Sequence, residues 1–387
     1  MAGYIFAVAK DSWNDFCAES LNRGSFTPFV PIIDLSGTDR QIKITYKILL
    51  ATYSDIVTMK AGDNIYFLSD RKLYGIGKAV NIDLDCKYDN YINASALLSD
   101  DQVETDNALT TQATNARWVC FFVPAPQFFK LGVDMDDVLR YKPNAFKMLR
   151  AFEGLSFIKI DDEENRALKE YIFLENEKVD RSEEAHFAFD DSLHTSLHDR
   201  DLSPYILNLR KALEAHDIDE LRSEMLVEAF FLQKVAREQI PFMGRWDHLT
   251  HQLIASPFKP LKYIDTIDVF GYRFSEHYPD DPKPITKFLI IELKKDKVNK
   301  STLEQLMQYV DWICDEYASG DYSLIEAYVL GSGIVRNTAQ AKQDVCQRSY
   351  IASTHPVVQK KWTDVKFIQY QIEEDDISFS LNDLNEE

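Results

Sequence analysis

At the centre of the C-terminal half lies Lys287-Phe-Leu-Ile-Ile-Glu-Leu-Lys294, an apolar segment that closes with an acid and a lysine. Its length and composition predict a buried β-strand. Side chains two apart on a strand face the same side, so Glu292 and Lys294 point together while Leu293 faces the core. A carboxylate at the end of a buried strand needs a partner, because a lone buried charge is costly.

A second strand-like segment, residues 263–270, precedes this one and also closes near a carboxylate, Asp268. Asp268 and Glu292 on adjacent strands would supply the oxygen ligands that Mg²⁺ or Mn²⁺ prefers, with water and phosphate completing the shell. Lys294 would orient or activate a water and stabilise charge on an attacked phosphate. The alternative for Glu292 and Lys294 is a surface ion pair of little energetic value.

The surrounding pattern alternates helices and strands. Helices are predicted over residues 202–216, 218–239 and 301–317, and further strands over residues 324–330 and 365–372. This order predicts an α/β layer over residues 201–376, with a mixed central sheet flanked by helices. Residues 377–387 are acidic, which predicts a frayed tail.

The succession over residues 221–372 resembles the PD-(D/E)xK nuclease superfamily. Its first-strand Asp matches Asp268, and its (D/E)xK tripeptide matches Glu292-Leu293-Lys294. The order of elements is most similar to the nuclease domains of mismatch- and branch-cleaving endonucleases and of Shedu-type phage-defence proteins. Ile267 stands where the namesake proline of the family would be, which is a departure from its pattern.

Helices on either side extend the resemblance. Gln305 and Tyr309 look like the QxxxY element of the family; they are four residues apart and share one helical face. The resemblance implies that Gln305 supports the catalytic site. The family often adds a helix glutamate as a metal or water ligand, and Glu224 or Glu228 would fill that role. The alternative for Gln305 and Tyr309 is an ordinary amphipathic helix face.

The first 174 residues show short strands and tight turns instead. Strands are predicted at residues 4–9, 64–68, 73–80, 118–123 and 156–160, a closing helix at residues 161–172, and a long surface loop at residues 100–115. Several motifs resemble the EVE domain of the PUA-like barrel group: Tyr4-Ile-Phe-Ala-Val-Ala9, Ser12-Trp13, Met59-Lys-Ala-Gly-Asp63 and Gly75-Ile-Gly77.

This second resemblance implies a PUA-like β-barrel with short helices that reads a feature of DNA, first of all a modified base. An aromatic-lined mouth would hold a base flipped out of its duplex. Ser12 and Trp13 are the leading pocket candidates, followed by Tyr53 and Trp118. The alternative is that these aromatic residues belong to the core.

Basic residues cluster around the hairpin predicted at residues 64–80. Lys72 and Lys78 would meet DNA phosphates there. The equally open alternative is that they belong to a solvated turn.

Two histidine groups are less informative. Residues 175–200 are acidic and weakly apolar, which predicts a solvated linker carrying His194 and His198. These two are spaced like helical metal ligands but have no third ligand nearby in the sequence. Asp247, His248 and His251 are predicted to lie at a turn or helix end.

Composition limits the class of protein. The 387 residues are 45% apolar, which excludes a wholly disordered chain and suggests two or three domains. A formal net charge of -20 excludes a basic nucleic-acid coat protein, but not a metal-dependent DNA site. Five scattered cysteines without CxxC argue against a disulfide framework and favour the cytoplasm. No apolar run reaches the ~20 residues of a membrane span.

Together these patterns predict an α+β protein that acts as a metal-dependent DNA endonuclease of the restriction or phage-defence type. Its partner would be double-stranded DNA, including modified phage DNA. Double-strand cleavage needs two active sites, which favours a homo-oligomer such as a dimer or tetramer. The alternatives are a non-catalytic nucleic-acid-binding module on a degenerate nuclease scaffold, or a nuclease triggered by DNA ends or by a partner.

Overall fold

The computed structural model of the chain describes residues 1–28, 39–92, 94, 108–110, 116–151, 157–178, 182–203, 205–207, 224–254, 265–278, 282–373 and 376–382. The chain divides into two compact units, Met1–Leu207 and Asn208–Glu387. Its class is mixed α+β, as predicted. Most of the loop predicted at residues 100–115 and of the helix predicted at residues 202–216 lies outside the described residues.

The first unit is built on one curled sheet that forms half a barrel. Its strands are β1 (Gly3–Ala7), β2 (Ser25–Phe26), β3 (Asn64–Ser69), β4 (Lys72–Ala79), β5 (Lys87–Asp89), β6 (Trp118–Pro124), β7 (Val133–Asp134) and β8 (Phe157–Ile160). Its α-helices are α1 (Trp13–Phe16), α2 (Asp39–Val57), α3 (Met135–Tyr141), α4 (Asp162–Asn176) and α5 (Ser192–Leu197). The strand order is β2-β6-β4-β3-β1-β8, and β1 and β3 form the parallel pair.

Local chemistry accounts for the elements that were predicted in this unit. The hairpin of β3 and β4 turns through Asp70 and Arg71, which have φ angles of 48° and 60°. Two left-handed residues in succession match the right-handed twist of the flanking strands. The closing helix α4 begins after Asp161, whose side chain accepts hydrogen bonds from two backbone N–H groups of the first turn.

The segment predicted as a solvated linker belongs to the first unit. His194 is buried, and its Nε2 lies 3.0 Å from the carbonyl oxygen of Gly24. Leu197 joins a core cluster with Val119 and Phe121. These contacts correct the prediction, because a few apolar and aromatic side chains are enough to hold an otherwise acidic segment against a sheet.

The second unit contains a mixed six-stranded sheet in the order β18-β17-β13-β11-β10-β9. Its strands are β9 (His248–Ile254), β10 (Thr266–Phe274), β11 (Ile285–Leu293), β12 (Lys297–Val298), β13 (Ile325–Gly331), β14 (Gly333–Ile334), β15 (Arg348–Thr354), β16 (Val357–Trp362), β17 (Val365–Ile372) and β18 (Ile377–Asn382). Its described α-helices are α6 (Glu224–Ala236), α7 (Lys300–Glu316) and α8 (Thr338–Val345).

The central part of this sheet confirms the predicted order of helices and strands. β11, β13 and β17 run parallel to one another, while β9, β10 and β18 are antiparallel to their neighbours. Helix α7 packs on β11 and β13. It begins with a capping box, in which the Asn299 side chain accepts from the Thr302 N–H and the Thr302 hydroxyl accepts from the Asn299 N–H.

Two predictions about this unit are wrong. His248 and His251 lie in strand β9, not at a turn or helix end, and residues 377–382 form strand β18, not a frayed tail. Both strands pair with one neighbour at an outer position of the sheet. Their polar residues hide the apolar pattern that would have marked them as strands. No described helix is long and apolar enough to cross a membrane.

Candidate active site

Two antiparallel strands bring the predicted acids together. Val269 of β10 lies opposite Ile291 of β11, and continuing this register places Asp268 opposite Glu292. Directly opposed residues of an antiparallel pair project to the same face of the sheet. Asp268 lies near the start of β10, because the strand runs on to Phe274. The opposite strand directions bring that start beside the end of β11.

Glu292 is the most buried acid of the site. Its side chain is 0% exposed, and its Oε1 accepts a hydrogen bond of 2.7 Å from Lys294 Nζ. Its Oε2 has no hydrogen-bond partner among the described residues. Burial raises the pKa of Glu292 to about 7, although the bond from Lys294 opposes the shift. A buried oxygen with no partner is costly, so this position suits a cationic ligand.

Asp268 is held toward the end of β11. Its Oδ2 accepts the backbone N–H of Leu293 at 2.7 Å. Burial, together with the charges of Glu292 and Glu228, raises the pKa of Asp268 to about 8. The site therefore places carboxylates close enough to repel one another. A divalent cation would turn that repulsion into attraction.

Lys294 supplies the positive charge of the site. Its side chain is 31% exposed, so the ammonium group can meet both the buried acid and a ligand from solvent. Burial lowers the pKa of Lys294, but the hydrogen bond and charge of Glu292 outweigh it and raise the pKa above its ordinary value. Lys294 therefore carries its charge at neutral pH and acts as a cation.

Helix α7 brings the predicted QxxxY pair to this neighbourhood. Gln305 Nε2 donates to Tyr309 Oη at 3.1 Å. Tyr309 is buried, and burial raises its pKa, with the charges of Glu292 and Asp268 adding to the shift. Tyr309 therefore lies near the two acids, and its hydroxyl accepts a hydrogen bond from Gln305.

The two helix glutamates have different surroundings. Glu228 is buried, and its charge raises the pKa of both Asp268 and Glu292. Glu224 is exposed, and its Oε1 accepts the backbone N–H of Lys295 at 3.4 Å. The charge of Glu224 also raises the pKa of Glu292 and of Lys294, so both helix glutamates lie near the site, Glu228 as a buried side chain and Glu224 as an exposed one.

Strand β9 brings His251, which was predicted to lie at a turn or helix end, into this neighbourhood. His251 Nδ1 lies 2.5 Å from Glu228 Oε1, and both side chains are nearly inaccessible to solvent. On strand β9 it pairs with Val269, the residue after Asp268. Recognising β9 as a strand in register with β10 would have identified His251. The segment is polar, so its sequence does not show the alternation that marks a strand.

The donor set determines which metal would fit. No group of three or more His, Cys, Asp or Glu side chains in the described ranges is arranged to hold a metal ion. The two opposed carboxylates nevertheless match Mg²⁺, which usually takes one or two protein carboxylates and completes its shell with water and phosphate. Asp268 and Glu292 are both oxygen donors, which favours Mg²⁺ or Mn²⁺ over zinc.

Trp13 remains accessible in the first unit. It is half-buried, and its ring lies 4.2 Å from that of Tyr74 and 5.9 Å from that of Phe16. Ser12 beside it is exposed. The pair therefore lies at an aromatic surface where a flat ligand could stack.

Tyr53 and Trp118 lie in the core of the same unit. Tyr53 stacks on Tyr205 with ring centroids 4.7 Å apart, and the Trp118 ring lies 5.0 Å from Tyr205. Both side chains are almost completely buried, and no base could enter between rings that already touch. The structure thus favours the alternative that these two aromatics are core residues.

The two lysine candidates lie on β4. Lys72 is exposed and Lys78 is half-buried. Lys72 is therefore the better placed of the two for a phosphate contact.

Comparison of the chain with models of protein families, with curated protein sequences and with solved structures finds no match. Its function must therefore be inferred from the chemistry of its own residues.

Proposed function

We propose that the protein is a Mg²⁺-dependent DNA endonuclease of the restriction or phage-defence type. The observation that carries the proposal is the setting of Glu292. One of its buried oxygens is bonded to Lys294 and the other has no partner in the described structure, and the strand register places it opposite Asp268. Two acids and a cation on one sheet face form a set suited to a metal-bound phosphate.

Each residue of the site would have its own role in phosphodiester hydrolysis. Asp268 and Glu292 would hold Mg²⁺, which when bound polarises the phosphate and lowers the pKa of water. Lys294 orients the attacking water and stabilises the negative charge that grows on the phosphate oxygens. A bond forms between the water oxygen and phosphorus as the water gives up a proton to solvent, and the bond to the departing deoxyribose oxygen breaks as that oxygen takes a proton from solvent. Gln305 and Tyr309 would support the site from α7, and Glu228 or Glu224 would complete the shell of the metal or of its water.

The test of this proposal is DNA cleavage by the purified wild-type chain. Supercoiled plasmid, linear, branched and modified phage DNA are incubated with Mg²⁺, with Mn²⁺, or with a chelator. We expect nicked or linear products only where a metal is present. Intact DNA in every metal-containing reaction would refute the assignment as an enzyme.

For the first unit we propose recognition of a DNA feature, in the first place a modified base, by a PUA-like barrel. The support is the accessible Trp13, which offers a stacking surface beside Tyr74. Matched DNAs with cytosine, methylcytosine, hydroxymethylcytosine and glucosylated bases separate this role from cleavage. Unequal cutting supports base reading. Equal cutting of all four refutes it and leaves the nuclease assignment standing.

A second candidate is a non-catalytic nucleic-acid-binding module. It is favoured by the absence of a three-residue metal group from the described parts of the chain. Titration of wild type and Glu292→Ala with Mn²⁺ distinguishes the two candidates. The enzyme requires that the wild type binds Mn²⁺ and that the variant does not, whereas a non-catalytic module requires no metal site. A nuclease triggered by DNA ends would instead cut linear DNA and spare closed circles.

A further inference from the structure

A small ribbon of the second unit stands apart from the main sheet. β15 and β16 form a separate two-stranded antiparallel sheet. Its base is anchored at two points. The Arg348 guanidinium donates to both carboxylate oxygens of Asp311 at 2.7 and 2.8 Å. The buried Trp362 donates from Nε1 to the carbonyl oxygen of Ile325 at 3.2 Å.

Beyond this base, both faces of the ribbon are solvated. Every residue from position 351 to position 361 is exposed, including Ile351 at 61% and Val357 at 70%. An isolated two-stranded ribbon with no covered face is only marginally stable in water. Exposed branched apolar side chains on such a ribbon indicate a surface that a partner covers.

The two outer edges of the ribbon differ in charge. β16 carries Lys360 and Lys361, and lysine is a residue that commonly protects a strand edge from unwanted pairing. The β15 edge reads Ser349-Tyr-Ile-Ala-Ser-Thr354, with no charge and no proline. No other strand of the described residues pairs with it. The outer edge of β15 is therefore uncharged and has no strand paired to it, although the register of β15 against β16 shifts between Ile351 and Ser353.

We propose that β15 pairs antiparallel with β15 of a second copy of the chain, which joins the two ribbons into a four-stranded sheet about a two-fold axis. Such an interface uses the same surface on both copies and must be self-complementary. An uncharged edge meets this condition, because the residues that the two-fold axis places opposite one another carry no like charges.

Charge also favours a second copy at this position. Each chain carries a formal net charge of -20, so two copies repel one another as they approach. The ribbon from Arg348 to Trp362 contains no Asp or Glu and includes three basic residues. It is a place where two acidic chains can approach closely. This inference goes beyond the proposed cleavage and does not depend on it.

The test is sedimentation velocity of the full chain over a concentration series, with two matched variants. Ile351→Lys adds one positive charge to the β15 edge, and Gln359→Lys adds the same charge to β16 directly opposite. Both positions are exposed, so neither change disturbs the core. We expect a wild-type dimer, a dissociation constant raised about tenfold or more by Ile351→Lys, and no change for Gln359→Lys.

Three outcomes would overturn the proposal. The wild type could be monomeric at every concentration, or both variants could dimerise as the wild type does. Ile351→Lys could also leave the dimer intact and weaken binding to duplex DNA, which would assign the ribbon to nucleic acid instead. Far-UV circular dichroism of each variant shows that it is folded. Because the readout is association, its failure is distinct from a failure of DNA cleavage.

Discussion

Two glutamates, one in each unit, are both fully buried and both have a raised pKa. Glu164 and Glu292 both have no exposed surface, and burial raises the pKa to about 8 for Glu164 and to about 7 for Glu292. Each has one carboxylate oxygen without a hydrogen-bond partner among the described residues. Burial and a raised pKa therefore do not distinguish a structural acid from a functional one.

Their partners do distinguish them. Glu164 Oε1 accepts two backbone N–H groups, from Lys147 at 2.7 Å and Leu149 at 3.2 Å. These neutral donors tie a loop to the start of α4, which is a structural task. Each glutamate has a second acid nearby, Asp161 for Glu164 and Asp268 for Glu292. Only Glu292 accepts a hydrogen bond from an ammonium group, that of Lys294, whose side chain is 31% exposed. A charged group that can also reach solvent is available to a ligand, whereas a backbone amide is committed to the fold.

Substitution of each glutamate by glutamine should give the largest contrast. Glu292→Gln is expected to lower DNA cleavage by about 10³-fold or more, because it removes a metal-binding charge at the reacting phosphate. Glu164→Gln should cleave at the wild-type rate. The measurement is the nicking rate of supercoiled plasmid with Mg²⁺, and DNA binding by Glu292→Gln should persist. Equal loss in both variants would contradict the comparison.

His251 should matter through the acid that it contacts. His251→Leu removes the hydrogen bond to Glu228, and we expect cleavage to fall roughly 10- to 100-fold, as for other partners of metal-site residues. His251→Asn keeps a donor near the position of Nδ1 and should restore most of the rate. Circular dichroism establishes that both variants are folded. A folded His251→Leu chain with wild-type cleavage would separate this pair from the site.

The pH dependence of stability should isolate the structural glutamate. The pKa of Glu164 is raised in the folded state to about 8, so the native chain holds a proton that the unfolded chain releases near pH ~4.3. The stability that Glu164 contributes is therefore fully present below about pH 4.3 and is lost as the pH rises toward 8. Glu164→Gln should reduce the loss in free energy of unfolding between pH 5 and pH 8 by about 1 kcal/mol or more. Urea unfolding at pH 5 and pH 8 measures it.

The smallest expected effect is stabilisation by metal alone. A cation that binds only the folded chain at about ten times its dissociation constant should add roughly 1 kcal/mol. Thermal melting with and without Mg²⁺ should show the shift for wild type and Glu164→Gln, but not for Glu292→Gln. A shift of equal size in all three proteins would place the metal elsewhere.

Long apolar segments allowed the central strands to be predicted from sequence. β11, β13 and β17 each contain such a segment, and the helix after β11 has clear periodicity. The outer strands β9 and β18 and the ribbon of β15 and β16 were missed. Strands at an edge or with a solvated face need few apolar residues, so their composition resembles that of a loop.

Aromatic and acidic candidates were not equally predictable. Tyr53 and Trp118 have side chains that suit a binding pocket and a core equally well, and packing placed them in the core. Asp268 and Glu292 suit a core poorly, because a buried carboxylate needs a charged or hydrogen-bonded partner. A carboxylate in an apolar strand therefore points to a candidate site more specifically than an aromatic residue does.

The order of residues along the chain already implied a mixed α+β protein, the main strands of the second unit and the acid–lysine pair at the end of β11. These features depend on local alternation and on spacing within one strand. The contact of Glu228 with His251, the position of Asp268 opposite Glu292 and the core setting of Tyr53 depend on register between distant segments. Register follows from how whole elements pack together, and for that reason it appears only in three dimensions.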